Sequence, residues 1–248
     1  VALNNDSVAE NNETFFVNLS APTNATIADP TGQGTIVDND SASPVTPVSG
    51  SITNDTTWSV LASPYVVTGT VTVYGTPAAT ATLTIPPQVE VRFNDNQGLV
   101  IGYGPNKGGL VAVGVARRTI LFTRNQKGRW NNIQFSASTD PAKALLDSVT
   151  VDYGGSGGQG NISINGCTPT IRNSRIGLSS NFGVYVSQGG LTLDGSSLAR
   201  NDGPYSMSLP PDSTVTSAGG STFDKPIELR AGTISGNVLV GNTADSSL

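Results

Sequence analysis

Between Leu145 and Asp202 the apolar positions return in register. In TIRNSRIGLSSNFGVYV (170–186) and LTLDGSSLARNDGPYSM (191–207), Ile171 falls on Leu193, Ile176 on Leu198 and Val184 on Ser206, each 22 residues later. LLDSVTVDYGG (145–155) joins them, Leu146 matching Ile171 and Val151 matching Ile176. Short β-branched runs recurring every coil, with Gly, Asn, Asp and Ser between them, predict a β-solenoid, because one coil buries its apolar row only against the next. Upstream the alternation predicts strands at 65–73, 81–85, 89–93, 98–101, 109–113 and 119–123, with corners at Pro86-Pro87, Gly102, Gly104, Gly114 and Gly128. Downstream it predicts strands at 214–216, 226–229 and 233–240. One helical turn is expected, at Asp140–Ala144.

The first 40 residues follow another rhythm. Strands are expected at 13–20, 25–28 and 34–37, too few to close a sandwich. Residues 41–57, rich in Ser, Thr and Pro, read as a linker. The expected organisation is therefore a first segment over 1–40, a linker over 41–57 and a solenoid over 58–248. The chain opens in mid-pattern at Val1 and stops at Leu248 without a cap, as a piece of a longer protein would.

Composition narrows the chemistry. With 6% aromatics, the core must be built from small aliphatics, and 29 glycines call for many tight turns. A net charge of −5 without a basic cluster argues against nucleic acid or an anionic membrane as partner. No apolar run approaches the roughly 18 residues of a membrane span. The absence of His removes every His-based triad, zinc-protease and general-base scheme. Cys167 is alone, so no internal disulfide forms, and a buried small residue in a GCTP turn is the simpler role. Low Lys and Cys with abundant Thr, Asn and Gly fits an exported bacterial β-protein at the cell surface or outside the cell.

Two resemblances add to this. NDSVAENNETFFVNLSAPTNATIADPTGQGTIVDND resembles the second half of a Calx-β domain, with its E-x-x-E-T-F run, LS-x-P turn and closing G-T-I-x-D-N-D. That likeness implies a calcium site using Asp6, Glu10, Glu13, Asp38 and Asp40, and a hard cation does favour such an oxygen-rich cluster. Ordinary solvated loop charges are the alternative. The succession SPYVVTGTVTV, ATLTIPPQVEVRF, GGLVAVGVARRTILFT, GRWNNIQF and VTVDYGG resembles the first coils of right-handed parallel β-helix proteins of the pectin-lyase-like class. It implies an all-β, right-handed parallel β-helix preceded by a partial sandwich segment.

The register makes a surface prediction. If Leu146, Ile171 and Leu193 point inward, then Asp147, Arg172 and Asp194 stack outward, about 4.8 Å apart. Arg between two Asp is a charge ladder that steadies the stack, and the same column faces a glycan if the outer surface binds one. Asp152, Arg175 and Arg200 lie near in register, and Tyr153, Tyr185 and Tyr205 are candidates to stack on a sugar. Asn173 is expected to stack its amide inside an R-N-S corner, and Trp58 and Trp130 to cap and flank the first coils. Asn94-Asp95-Asn96 reads as a plain turn rather than a calcium site. The Asn-x-Ser/Thr triplet at Asn161 is expected by chance.

The expected function is structural or adhesive, in a secreted or surface-attached bacterial protein, with other copies of the chain or neighbouring domains as partners and assembly into a fibre as one outcome. The runner-up is a carbohydrate-active enzyme, lyase or hydrolase, acting on extracellular polysaccharide around Asp147, Arg172 and Asp194. A non-catalytic glycan-binding module on the same face is the third.

Overall fold

The computed structural model describes residues 13–37, 45–216, 219–231 and 240–241. The chain divides into two compact units, Val1–Pro44 and Val45–Leu248.

In the first unit, Glu13–Asn18 and Thr31–Ile36 pair antiparallel, Glu13 opposite Ile36 and Asn18 opposite Thr31. The ring of Phe15 lies across Gly34, where a Cβ would sit 2.4 Å from the ring edge, so a larger residue there would displace the ring. Residues 25–28, expected as a strand, are irregular. Phe15, Phe16, Val17 and Leu19 are all exposed, so the hairpin buries no apolar face of its own.

The second unit is a parallel β-solenoid of about seven turns. Each coil contributes strands to three faces. Face A stacks 46–48, 65–67, Glu90–Phe93, Ile120–Arg124, Val149–Asp152, Arg175–Gly177, Ser197–Ala199 and Thr222–Phe223. Face B continues each coil, from 50–52 and 71–73 through Leu99–Ile101, Ile133–Phe135 and Gly160–Cys167 to Ile227–Leu229. Face C closes it, from Thr56–Thr57 and Ala81–Ile85 through Gly108–Val113, Thr139–Asp147 and Thr170–Arg172 to Val240–Gly241. Every neighbouring pair is parallel, since each coil runs the same way round.

Alternation along each strand sends every second side chain inward. Val91, Phe122, Val151, Ile176 and Leu198 line face A, and Leu99, Ile133, Ile162, Val184 and Met207 line face B. Ile85, Ala112, Leu146, Ile171 and Leu193 line face C. All of these are fully buried. Each of the larger ones contributes about 1.5–3 kcal/mol relative to an exposed state.

The expected matches of Leu146, Ile171 and Leu193, and of Val151, Ile176 and Leu198, are the observed partners. Val184 instead pairs with Met207, one residue beyond Ser206. Met207 lies nine positions after Leu198 where Val184 lies eight after Ile176, and the extra residue is taken up in the turn before face B.

Three other expectations change. Thr46–Ile52 and Thr56–Thr57 are not linker but the first tier, paired with 65–73 and with Leu83 and Thr84. Asp140–Ala144 is not helical: it belongs to the strand Thr139–Asp147, whose register shifts between Thr139 and Ala144. Thr139 and 144–147 are held by parallel partners, and 140–143 bulge out between them, which leaves no room for a helical turn. Trp130 is no flank: it is fully buried and stacked on Phe93, ring centroids 4.1 Å apart. Trp58 stacks on Tyr65 near the first tiers.

The corner from face C to face A shows why the coils keep register. Ser148, Asn173 and Gly195 occupy it on successive tiers, all with φ between 52° and 54°. The next residue turns inward, and its N–H is aimed at the following tier. Val149 donates to Ser174 Oγ (3.2 Å), Ser174 N–H to Ser196 Oγ (3.1 Å) and Ser196 N–H to Ser221 Oγ (3.2 Å). The Ser174 and Ser196 hydroxyls in turn donate to the carbonyls of Arg172 and Asp194. Serine hydroxyls thus replace ladder partners that the turning backbone has lost. The amide of Asn173, expected inside this corner, is exposed and reaches Asp147 instead.

Candidate functional site

Face C carries the expected outer column. Asp147, Arg172 and Asp194 are partners on three successive tiers. Arg172 Nε donates to Asp147 Oδ2 at 2.7 Å, while Asn173 Nδ2 and Ser148 Oγ donate to Oδ1 at 3.0 and 3.1 Å. Burial alone would push the Asp147 carboxyl up. The bonds from Asn173, Arg172 and Ser148 outweigh it and hold the group below the usual carboxylate range. Asp147 is therefore not the solvent-facing rung expected: it is buried beneath its own hydrogen bonds, 8% exposed. Its contribution to stability is present above the ordinary Asp range and is lost as pH falls through the depressed folded value. Asp194 makes no ion pair among the described residues, because the single guanidinium is committed to Asp147.

Two of the tyrosines meant for sugar stacking are already covered. Arg124 lies 3.9 Å over the ring of Tyr153, and Arg230 lies 4.5 Å over Tyr185. Tyr185 sits on face B opposite Ser163 and Ser208, with Phe182 beside it at 5.8 Å. Arg230 Nη1 donates to Ser208 Oγ (2.8 Å), and Ser208 donates to Glu228 Oε2 (2.5 Å), so the guanidinium is fixed over the ring. Tyr205 is half-buried.

Asp152 stands on face A, away from Asp147, opposite Gly177. It is 8% exposed and its Oδ1 has no partner among the described residues. Burial raises its pKa most, and Glu90 adds to the rise. A bond from Thr123 and the charges of Arg175 and Arg124 oppose it without cancelling it. A carboxyl whose folded pKa is raised favours folding at low pH, and that contribution is lost as pH rises from the ordinary Asp range through the raised value. Asp152→Asn should therefore raise the unfolding midpoint at neutral pH and reduce its fall between acid and neutral conditions. Urea titrations of both proteins across that range check it; a lower midpoint for the variant at neutral pH would mean that the carboxylate is paired. The grouping of Asp152 with Arg124, Arg175 and Glu90 was legible only in part, from the alternation of VRF, TR and VD along stacked strands.

The calcium expectation rests on residues of which only Glu13 is described. It begins the first strand, opposite Ile36; Asp6, Glu10, Asp38 and Asp40 lie outside the described residues. Among the described residues no three acidic, His or Cys side chains converge as a metal site. Asn94–Gln97 closes as a turn, Gln97 N–H donating to the Asn94 carbonyl at 3.1 Å. Cys167 is buried, and burial pushes its thiol up to about 11, so it is a neutral thiol rather than a thiolate at neutral pH. No helix among the described residues is long and apolar enough to cross a membrane.

The stacked faces, buried aliphatic columns and corner ladders define a parallel β-solenoid. Comparisons with known protein families, curated proteins and solved structures find no match to this chain.

Proposed function

We propose that the chain is a structural and adhesive segment of a secreted or cell-surface bacterial protein, with other copies of itself or neighbouring domains as partners. The use of its outer charges carries this reading. Arg172 ties one tier to the next through Asp147, and Arg129 ties Asp202 (2.8 Å) and the Leu178 carbonyl to its own corner. Arg124 and Arg230 cover tyrosine rings. These four guanidinium groups thus hold coils together. The likenesses to Calx-β and pectin-lyase-like proteins support an extracellular setting, and calcium at Asp6, Glu10, Glu13, Asp38 and Asp40 stiffens the first unit. Two measurements test this: thermal melts with and without chelator, and negative-stain images. A chelator-sensitive transition and regular polymers are expected; an insensitive melt together with dispersed monomers would overturn it.

A second reading, a polysaccharide lyase or hydrolase, is favoured by Asp152 alone, a carboxyl on face A whose Oδ1 has no partner among the described residues. Release of reducing or unsaturated ends from a polysaccharide panel, abolished by Asp152→Asn, is its signature. No product from any polymer removes it.

A further inference from the structure

The edge between faces B and C carries features that the outer charge column does not explain. Five successive turns lie along it, at 53–55, 74–80, 102–107, 136–138 with the displaced 140–143, and 168–169. Two clefts of about 310 Å³ open there. Thr53, Asp55, Thr76 and Thr80 line the upper one; Lys107, Ser138 and Asp140 line the lower. They are joined. Thr80 Oγ1 donates to Asp140 Oδ2 at 2.7 Å, and the N–H groups of Gly75 and Ala81 both donate to the Lys107 carbonyl. The Thr80–Asp140 bond is possible because 140–143 leans over the intervening tier, where a Cβ on Gly109 would sit 2.6 Å from that of Lys143.

An aromatic pair stands on the same edge, in the turns 74–80 and 102–107 that contribute residues to the clefts. Tyr74 immediately precedes Gly75, which lines the upper cleft. Tyr103 stands on a turn closed by its two bonds with Asn106 (3.1 and 2.9 Å), just before Lys107. Their rings are 5.6 Å apart and tilted 42°, and Tyr103 is 63% exposed. Unlike Tyr153 and Tyr185, neither lies under a guanidinium among the described residues.

We infer that this edge binds a neutral oligosaccharide lying along the solenoid axis, its apolar ring faces on Tyr74 and Tyr103 and its hydroxyls in the two clefts. Aromatic faces take the C–H side of a sugar, and convergent polar groups orient it. Asp140 accepts from Thr80 at Oδ2 and from the Ala142 N–H at Oδ1 (3.0 Å), which with the lysines hold it below the usual carboxylate range against partial burial; each oxygen keeps a further lone pair for a sugar hydroxyl. Asp55 and Asp140 are balanced by Lys107 and Lys143, so the edge has no net charge to select a uronate. Two clefts in succession along the axis suit a chain rather than a single ring. This site deepens the adhesive reading and rests on it.

The test is calorimetric titration of the full chain with neutral hexose oligosaccharides and with uronate oligosaccharides. Tyr103→Ala should weaken neutral binding about tenfold without moving the melting transition, and Asp140→Asn should also weaken it. Tyr185→Ala, on face B, should leave it unchanged. Absence of binding to every neutral oligosaccharide, preference for uronates, or binding that survives both Tyr103→Ala and Asp140→Asn overturns the site. Failure here leaves the polymer images to decide the structural reading, so the two can fail separately.

Discussion

Trp130→Ala should destabilise the solenoid by about 3–5 kcal/mol, the largest loss expected from any single truncation in its core. The ring is fully buried and lies nearly parallel to Phe93, 10° between planes. Its Nε1 donates to the Asp152 carbonyl at 2.7 Å, so the side chain joins one tier to the next as well as filling space. Truncation leaves a cavity in a stack that cannot close without shifting strands hydrogen-bonded on both sides, and it removes a donor from a buried carbonyl. Trp130→Phe keeps the stacking and loses only the donor, so it should cost much less. Urea unfolding of the three proteins at constant slope measures the difference. A midpoint for Trp130→Ala within error of the parent would mean that the ring packs at the surface.

Asn161→Asp should be nearly as damaging at neutral pH, about 3–5 kcal/mol, and partly repaired by acid. The Asn161 amide is fully buried. Its Oδ1 accepts from Gly154 N–H (2.7 Å), and its Nδ2 donates to the carbonyls of Val151 (3.1 Å) and Gly177 (2.6 Å). One side chain thus satisfies three backbone groups where face A turns into face B. A carboxylate keeps the acceptor but sets a negative charge against two carbonyl oxygens. The introduced acid's folded pKa must then lie above its unfolded value, so the variant gains stability relative to the parent as pH falls and loses it as pH rises through the folded value. Paired denaturation curves at acid and neutral pH check this. A loss that did not depend on pH would mean that the site is wet enough to solvate the charge.

Where coils are equal in length, the architecture was legible in the repeat: Ile171 and Leu193, or Ile176 and Leu198, sit one above the other because nothing is inserted between them. It was less legible where a coil has few core residues. Val48 and Ile52 are the half-buried aliphatics of the first tier, and among Ser, Thr and Pro they resemble a spacer. The Asp147–Arg172 contact followed from alternation. That Asp194 would make no ion pair among the described residues did not, since register says which residues neighbour but not which of two carboxylates takes a guanidinium. Asn161 looked like a chance triplet, and Trp130 like a flank. Both act at corners, where the chain leaves the period and side chains answer to backbone groups many residues away.

The backbone hydrogen bonds of the second unit run from tier to tier, parallel to its axis. A tensile load applied along that axis therefore falls on the tiers in series, and the weakest interface yields first and alone. A load across the axis is shared by every tier it reaches. Such a body gives way in small steps under pull and stands firm under shear, which makes the direction of anchorage as important mechanically as the number of coils.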